Sequence, residues 1–308
     1  MRREKKIEAN TINFKFIDHP WISFLVFSVF LVLSIFISGT IIFGLLGLPQ
    51  DAPFAQFMQS SLGHILMLFV FVPFVLRLPK GKTTYKEYLD DIRLTKIQPL
   101  FRLIFIAVSC YLILMICQAL GPFVYRFFEG KAITAKFSRS VFNITNDLPP
   151  RSWGLATSLP SMFEEVAFRG VLLTFFLVRY SKRKSIMFSS FGFGIIHALN
   201  IFSGQDPVWV VAQVIWTFIM GLFYGYLFIK TGSLLPVMLC HYLGNLFVGS
   251  LNGYILETTS VTTQALFGIT FTFGLIPVIL MVLWIRFFSV KWPFEGEFKA
   301  DRIVTYVR

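Results

Sequence analysis

The sequence predicts an all-α fold, a polytopic membrane helix bundle of about eight transmembrane helices. Three observations lead there. Of 308 residues, 56% are apolar, 14% are charged and 38 are Phe. A soluble domain carries about a quarter charged residues, and apolar runs of about eighteen or more read as membrane spans. The third observation is that Lys and Arg gather between the apolar runs and are almost absent within them.

Eight spans follow in order, at roughly 21–47, 61–77, 103–123, 153–178, 185–203, 207–229, 233–251 and 265–288. At about 1.5 Å per residue each reaches across a hydrocarbon core of about 30 Å, the longer ones with tilt. The second is the shortest. An even count puts both termini on one side, and that assignment collects 22 of the 28 Lys and Arg residues there, from Arg2 to Arg308. Five others lie between Arg126 and Arg151, and Arg169 stands inside a span. By the positive-inside rule both termini are cytoplasmic.

The connections add detail. Within 78–102, the stretch Tyr85-Lys86-Glu87-Tyr88-Leu89-Asp90-Asp91-Ile92-Arg93-Leu94 has the charge and apolar spacing of an amphipathic helix on the membrane surface. Residues 124–152 form an extracytoplasmic loop with a formal sequon, Asn143-Ile144-Thr145. The opening, Met1-Arg2-Arg3-Glu4-Lys5-Lys6 before a long apolar run, reads as an uncleaved signal anchor. The +12 formal charge has no basic face with interleaved stacking residues, so nucleic acid is excluded as a partner and membrane lipids are expected instead. Cys110, Cys117 and Cys240 lie in apolar segments at no metal-ligand spacing and read as small hydrophobes. Gly221 and Gly225 read as close-packing positions. Phe-rich, Lys-rich composition and short loops point to a bacterial plasma membrane.

Span four breaks the apolar rule. Its Pro160-Ser161-Met162-Phe163-Glu164-Glu165-Val166-Ala167-Phe168-Arg169-Gly170 holds two carboxylates and a guanidinium. Each such group costs about 2.5–3.5 kcal/mol at mid-bilayer, on the order of 8–10 kcal/mol for three before pairing. Glu165 and Arg169 are four apart and share a helix face, whereas Glu164 is turned by about 100° from Glu165. Arg169 therefore holds Glu165 and leaves Glu164 to act. A purely structural ion pair locking span four to a neighbour accounts for these three residues equally well.

Two further segments weigh toward function. Span five contains Phe193-Gly194-Ile195-Ile196-His197, and span seven contains His241-Tyr242-Leu243-Gly244-Asn245 with His241 and Asn245 in register. Glu164, His197 and His241 fall at compatible depths from the outer ends of their spans, about 9–16 Å at 1.5 Å per residue. His19 and His64 occupy interfacial positions and read as structural.

Glu164-Glu165-x-x-x-Arg169, Phe193-x-x-x-His197 and His241-x-x-x-Asn245, in that order on successive helices, resemble the CPBP family. That family includes type II CAAX prenyl endopeptidases and bacterial bacteriocin-processing and abortive-infection proteins. The resemblance covers roughly 150–250. It implies an intramembrane endopeptidase in which Glu164 is catalytic, His197 helps activate water, and His241 and Asn245 stabilise the oxyanion. The chemistry is coherent, because carboxylates in low-dielectric cavities become usable general bases and donors aimed at a developing oxyanion stabilise it. A zinc version draws on the same residues, with Glu164, His197 and His241 as ligands and Glu165 as base, or with Glu164 as base and Glu165 as ligand. Motif order leaves the metal-dependent and metal-free versions open.

The resemblance divides the chain into a cytoplasmic segment 1–20, a three-span region 21–148, a CPBP-like catalytic core 149–251, and a last span with cytoplasmic tail 252–308. Its expected substrate is a membrane-associated or lipidated peptide. A non-catalytic scaffold or immunity factor of the same family is the alternative, and a transporter relaying ions through Glu164, Glu165 and Arg169 is a third reading. The transporter reading is weakened because no internal repeat stands out.

Overall fold

A computed structural model describes residues 19–75, 85–141, 159–246 and 260–294. All regular structure among these residues is helical. Among the described residues six helices are long and apolar enough to cross a membrane: Pro20–Leu45, Pro53–Phe71, Leu100–Phe128, Lys182–Phe202, Pro207–Thr231 and Val261–Lys291. The expected fourth span is a continuous helix of three parts, Pro160–Glu165, Val166–Leu172 and Leu173–Arg179, and its charges set it apart from the other six. The expected seventh is described over Leu235–Leu246. The sequon, the N-terminal segment and the C-terminal tail lie outside the described residues.

Local chemistry explains the boundaries. Pro20, Pro53, Pro160 and Pro207 each open a helix, where a missing N–H costs nothing. Asp206 caps Pro207–Thr231 by accepting from the N–H groups of Val208 (2.8 Å) and Trp209 (3.2 Å).

Three sequence expectations need correction. The second span begins at Pro53, eight residues before the expected start. Its polar first turns are accommodated because Gln56 Nε2 donates to the Gln50 carbonyl (2.9 Å) and Gln59 Nε2 to the Ile35 carbonyl (3.0 Å). The last span is interrupted between Thr272 and Leu275. The amphipathic stretch is helical over Tyr85–Asp91 but is seated in the core as well as facing outward. Tyr88 and Ile92 are buried, and Tyr88 donates its hydroxyl to the Leu68 carbonyl at 3.2 Å. Burial, with Tyr85 beside it, holds the Tyr88 phenol above its ordinary pKa range.

Long-range contacts agree with the loop assignment. Trp21 Nε1 donates to the Tyr180 hydroxyl (3.1 Å), Arg102 donates to the Pro293 carbonyl (3.1 Å), and Ser233 donates to the Lys96 carbonyl. Each joins two segments that the even-span reading puts on the same side.

Apolar side chains such as Leu25, Val29 and Phe36 face outward from the first helix, as a lipid-facing surface requires. Inside, Lys182–Ile196 packs against Pro207–Thr231 through small residues. A Cβ on Gly221 would lie 2.9 Å from Ser190 Cβ, and one on Gly225 would lie 3.1 Å from Ile186 Cγ2. Backbones approach this closely in membranes because helix association there depends on van der Waals contact. The packing reading of both glycines holds.

Candidate active site

The three motif-bearing helices converge. Pro160–Leu172, the end of Lys182–Ile196 and Leu235–Leu246 bring Glu164, His197, His241 and Asn245 to the wall of one cavity of about 600 Å³. Helices of the first, second, sixth and last spans complete it, with Leu31, His64, Gln213 and Gln264 on the wall.

Two adjacent carboxylates have different surroundings. The Glu164 side chain is 27% exposed and lines the cavity, whereas that of Glu165 is fully buried. Glu165 Oε1 accepts from Arg169 Nη1 (3.2 Å) and lies 2.7 Å from His241 Nδ1. An ionised carboxylate only accepts, so Nδ1 carries the proton in that contact. His241 Nε2 then points away from Glu165, 3.4 Å from Asn245 Nδ2 and 4.0 Å from Glu164 Oε2. The expected Arg169–Glu165 pair is present, and Glu165 also orients His241.

Arg169 is buried without exposure. Its guanidinium carbon lies over two aromatic rings, 4.3 Å from the Phe193 centroid and 5.4 Å from that of Tyr224. Such contacts contribute about 2 kcal/mol where the cation is desolvated. Its Nε and Nη2 have no hydrogen-bond partner among the described residues. The rings and Glu165 are therefore what hold this charge in the bundle.

Phe193 joins the parts. Its carbonyl accepts from His197 Nδ1 (2.8 Å), and its ring meets the rings of His197 (5.0 Å), His241 (5.9 Å) and Phe168 (5.1 Å) edge-on. The carbonyl fixes the His197 tautomer, because a backbone oxygen must receive a proton from Nδ1; Nε2 is left for other work.

Sequence reading missed four wall residues. His64, interfacial by its sequence position, lines the cavity, stacks on Phe163 (6.1 Å between ring centres) and lies 2.8 Å from the Ser60 carbonyl through Nδ1. Tyr224 stacks on His241 at 5.1 Å. Asn200 and Gln213 are hydrogen-bonded to each other at 2.9 Å. An amide inside an apolar span was the available signal for Gln213, since amides withdrawn from water also demand partners.

The zinc version calls for three protein ligands around one ion. Among the described residues no three His, Cys, Asp or Glu side chains gather to hold a metal ion, and Glu164, His197 and His241 do not form such a group. Glu165, an alternative base, stands behind His241 and does not line the cavity.

Residues 148–247 match the family model described as type II CAAX prenyl endopeptidase Rce1-like, which supports the CPBP resemblance over almost the same stretch. The match supports a CAAX-type protease, and the apolar helices make the chain an integral membrane protein. No curated protein and no solved structure shows significant similarity to the chain.

Proposed function

We propose that the chain is an intramembrane endopeptidase that hydrolyses a peptide bond in membrane-associated or lipidated peptides, using water activated by Glu164 and His197. One observation carries the reading: Glu164, His197, His241 and Asn245 share one cavity wall while the paired charges Glu165 and Arg169 stand behind it.

In this mechanism Glu164 takes a proton from a water held between its carboxylate and His197 Nε2. The water oxygen attacks the scissile carbonyl carbon, and the carbonyl oxygen becomes the oxyanion. Asn245 Nδ2 and His241 Nε2 face that oxygen. Donation from His241 Nε2 requires a doubly protonated ring, whose charge Glu165 and Glu164 flank at 2.7 Å and 4.0 Å. Glu164 then passes its proton to the leaving nitrogen as the C–N bond breaks. The products are one carboxylic acid and one amine. General acid–base transfer contributes about 10²–10⁴-fold, and each oxyanion donor a further factor of about 10²–10³.

A bacterial plasma membrane with both termini cytoplasmic is the proposed location. The test is cleavage by the purified protein in liposomes of a panel of farnesylated CAAX peptides and double-glycine leader peptides. Wild type and Glu164→Gln are compared with and without a zinc chelator. Cleavage lost in Glu164→Gln and indifferent to chelator supports the reading. Undiminished cleavage by Glu164→Gln, or no cleavage by wild type of any panel peptide, overturns it.

A further inference from the structure

The cavity holds a polar pair that this mechanism does not use. Asn200 and Gln213 both line it, and Asn200 Nδ2 donates to Gln213 Oε1 at 2.9 Å. A pair of primary amides joined by one hydrogen bond leaves one carbonyl oxygen and one NH₂ group unspent, whichever amide donates. No second partner occurs among the described residues for Asn200 Oδ1 or Gln213 Nε2, and neither atom is sealed from the cavity. The pair therefore presents one acceptor beside one donor.

That pattern is the complement of a residue in an extended chain. The N–H and C=O of one strand residue point to the same side, and an antiparallel partner satisfies both together. The other lining groups agree with a neutral ligand. Glu164 is the one carboxylate, and neither Lys nor Arg occurs among the described lining residues. Apart from the histidines, no side chain there supplies a cation for a charged carboxylate or phosphate group.

Position gives the register. His197 and Asn200 begin and continue the 3₁₀ segment His197–Ser203. In a 3₁₀ helix residues i and i+3 eclipse, and three residues at about 2.0 Å rise separate them by about 6 Å. Two residues of extended chain span about 6.5–7 Å. We infer that Asn200 and Gln213 form a peptide-backbone subsite that holds the N–H and C=O of one substrate residue two positions from the scissile bond. Main-chain bonds of this kind supply affinity, and they fix which bond reaches Glu164.

The inference rests on the endopeptidase reading, and the experiment separates the two. A cleaved panel peptide is resynthesised as a set with a single N-methyl residue at each of the three positions on either side of the scissile bond. With wild type, one member, methylated two positions away, loses about tenfold in kcat/KM through KM, the worth of one hydrogen bond of about 1.4 kcal/mol. Asn200→Ala loses about tenfold on the parent peptide with its thermal midpoint retained, and methylation at that position then costs it nothing more. Asn200→Asp keeps an acceptor oxygen and keeps the position-specific penalty, which provides the test should Asn200→Ala fail to fold. Cleavage with the wild-type methylation profile unchanged in Asn200→Ala overturns the subsite and leaves the protease reading standing. A uniform profile in wild type does the same. No cleavage of any parent peptide by wild type overturns the endopeptidase reading, and the subsite with it.

Discussion

Two neighbouring glutamates, chemically identical, are expected to fail in opposite ways. Glu164 lines the cavity with its side chain 27% exposed, and Glu165 is fully buried between Arg169 at 3.2 Å and His241 at 2.7 Å. Replacing Glu165 by Gln removes the counter-charge of a guanidinium that has no other anion in hydrogen-bond contact among the described residues. Breaking a buried pair by removing one partner costs about 3–5 kcal/mol, because the surviving charge stays buried without compensation. The rings of Phe193 and Tyr224 still face Arg169, which puts the expected loss toward the lower end, about 3 kcal/mol. Glu164→Gln strands no buried charge and is expected to change stability by no more than about 0.5 kcal/mol. It removes the proposed base and with it at least about 10²-fold in cleavage. Unfolding free energy in a fixed detergent and cleavage in liposomes are measured for both variants. A Glu164→Gln protein as unstable as Glu165→Gln, or a Glu165→Gln protein as stable as wild type, would refute the division of labour argued here.

Other perturbations follow from the same geometry. Gly221→Ala places a methyl 2.9 Å from Ser190 Cβ and 3.1 Å from Arg169 Nη2, and is expected to destabilise by about 1–3 kcal/mol while lowering activity through a displaced Arg169; denaturant titration and cleavage check both. His64→Ala enlarges the cavity beside Phe163 and is expected to shift preference toward bulkier substrate side chains, read as relative kcat/KM across the panel, at a stability cost of about 1 kcal/mol. Zinc chelation is expected to leave the cleavage rate unchanged, because no three-residue ligand group is formed among the described residues; chelator-sensitive cleavage restored by zinc alone would contradict this.

What could be read in the sequence was whatever depends on short spacing or on the cost of burying charge. Glu165 and Arg169 are four apart, so their pairing followed from helix geometry alone, and it is present at 3.2 Å. The expense of charge in an apolar run singled out span four. Contacts between distant segments were not legible. His241 and Glu165 are 76 positions apart, and nothing in their spacing says that Glu165 holds the histidine while also meeting the arginine. His64 was passed over because a single histidine near the end of a span is ordinary, and only its packing on Phe163 brings it into the cavity wall. The start of the second span was misplaced because Gln56 and Gln59 look like loop residues until their amides find carbonyl partners at Gln50 and Ile35.

Backbone irregularity was equally hidden, and much of it lies at or near the cavity, although the π segment Thr40–Leu45 contributes no lining residue. A π turn, Val166–Leu172, begins directly after Glu165; another, Met67–Phe71, begins three residues after His64; a third, Gly268–Thr272, contributes Gly268 and Thr272 to the wall. The 3₁₀ segment starts at His197 itself. No residue type strongly favours a π turn, so composition gives no sign of it, whereas α-helical spans are announced by their length and hydropathy. Such turns occur often at functional sites because they re-aim one side chain while the flanking α segments stay packed. Here Leu173–Arg179, which follows the first of them, is buried along most of its length, and within the third Gly268 admits Trp216 so closely that a Cβ would lie 2.9 Å from its ring. Ordinary apolar packing thus holds at least these two departures from regular helix in place. The polar constellation can occupy the bundle interior because apolar packing carries the stability that its own hydrogen bonds, incomplete at Arg169 and Glu165 among the described residues, do not supply.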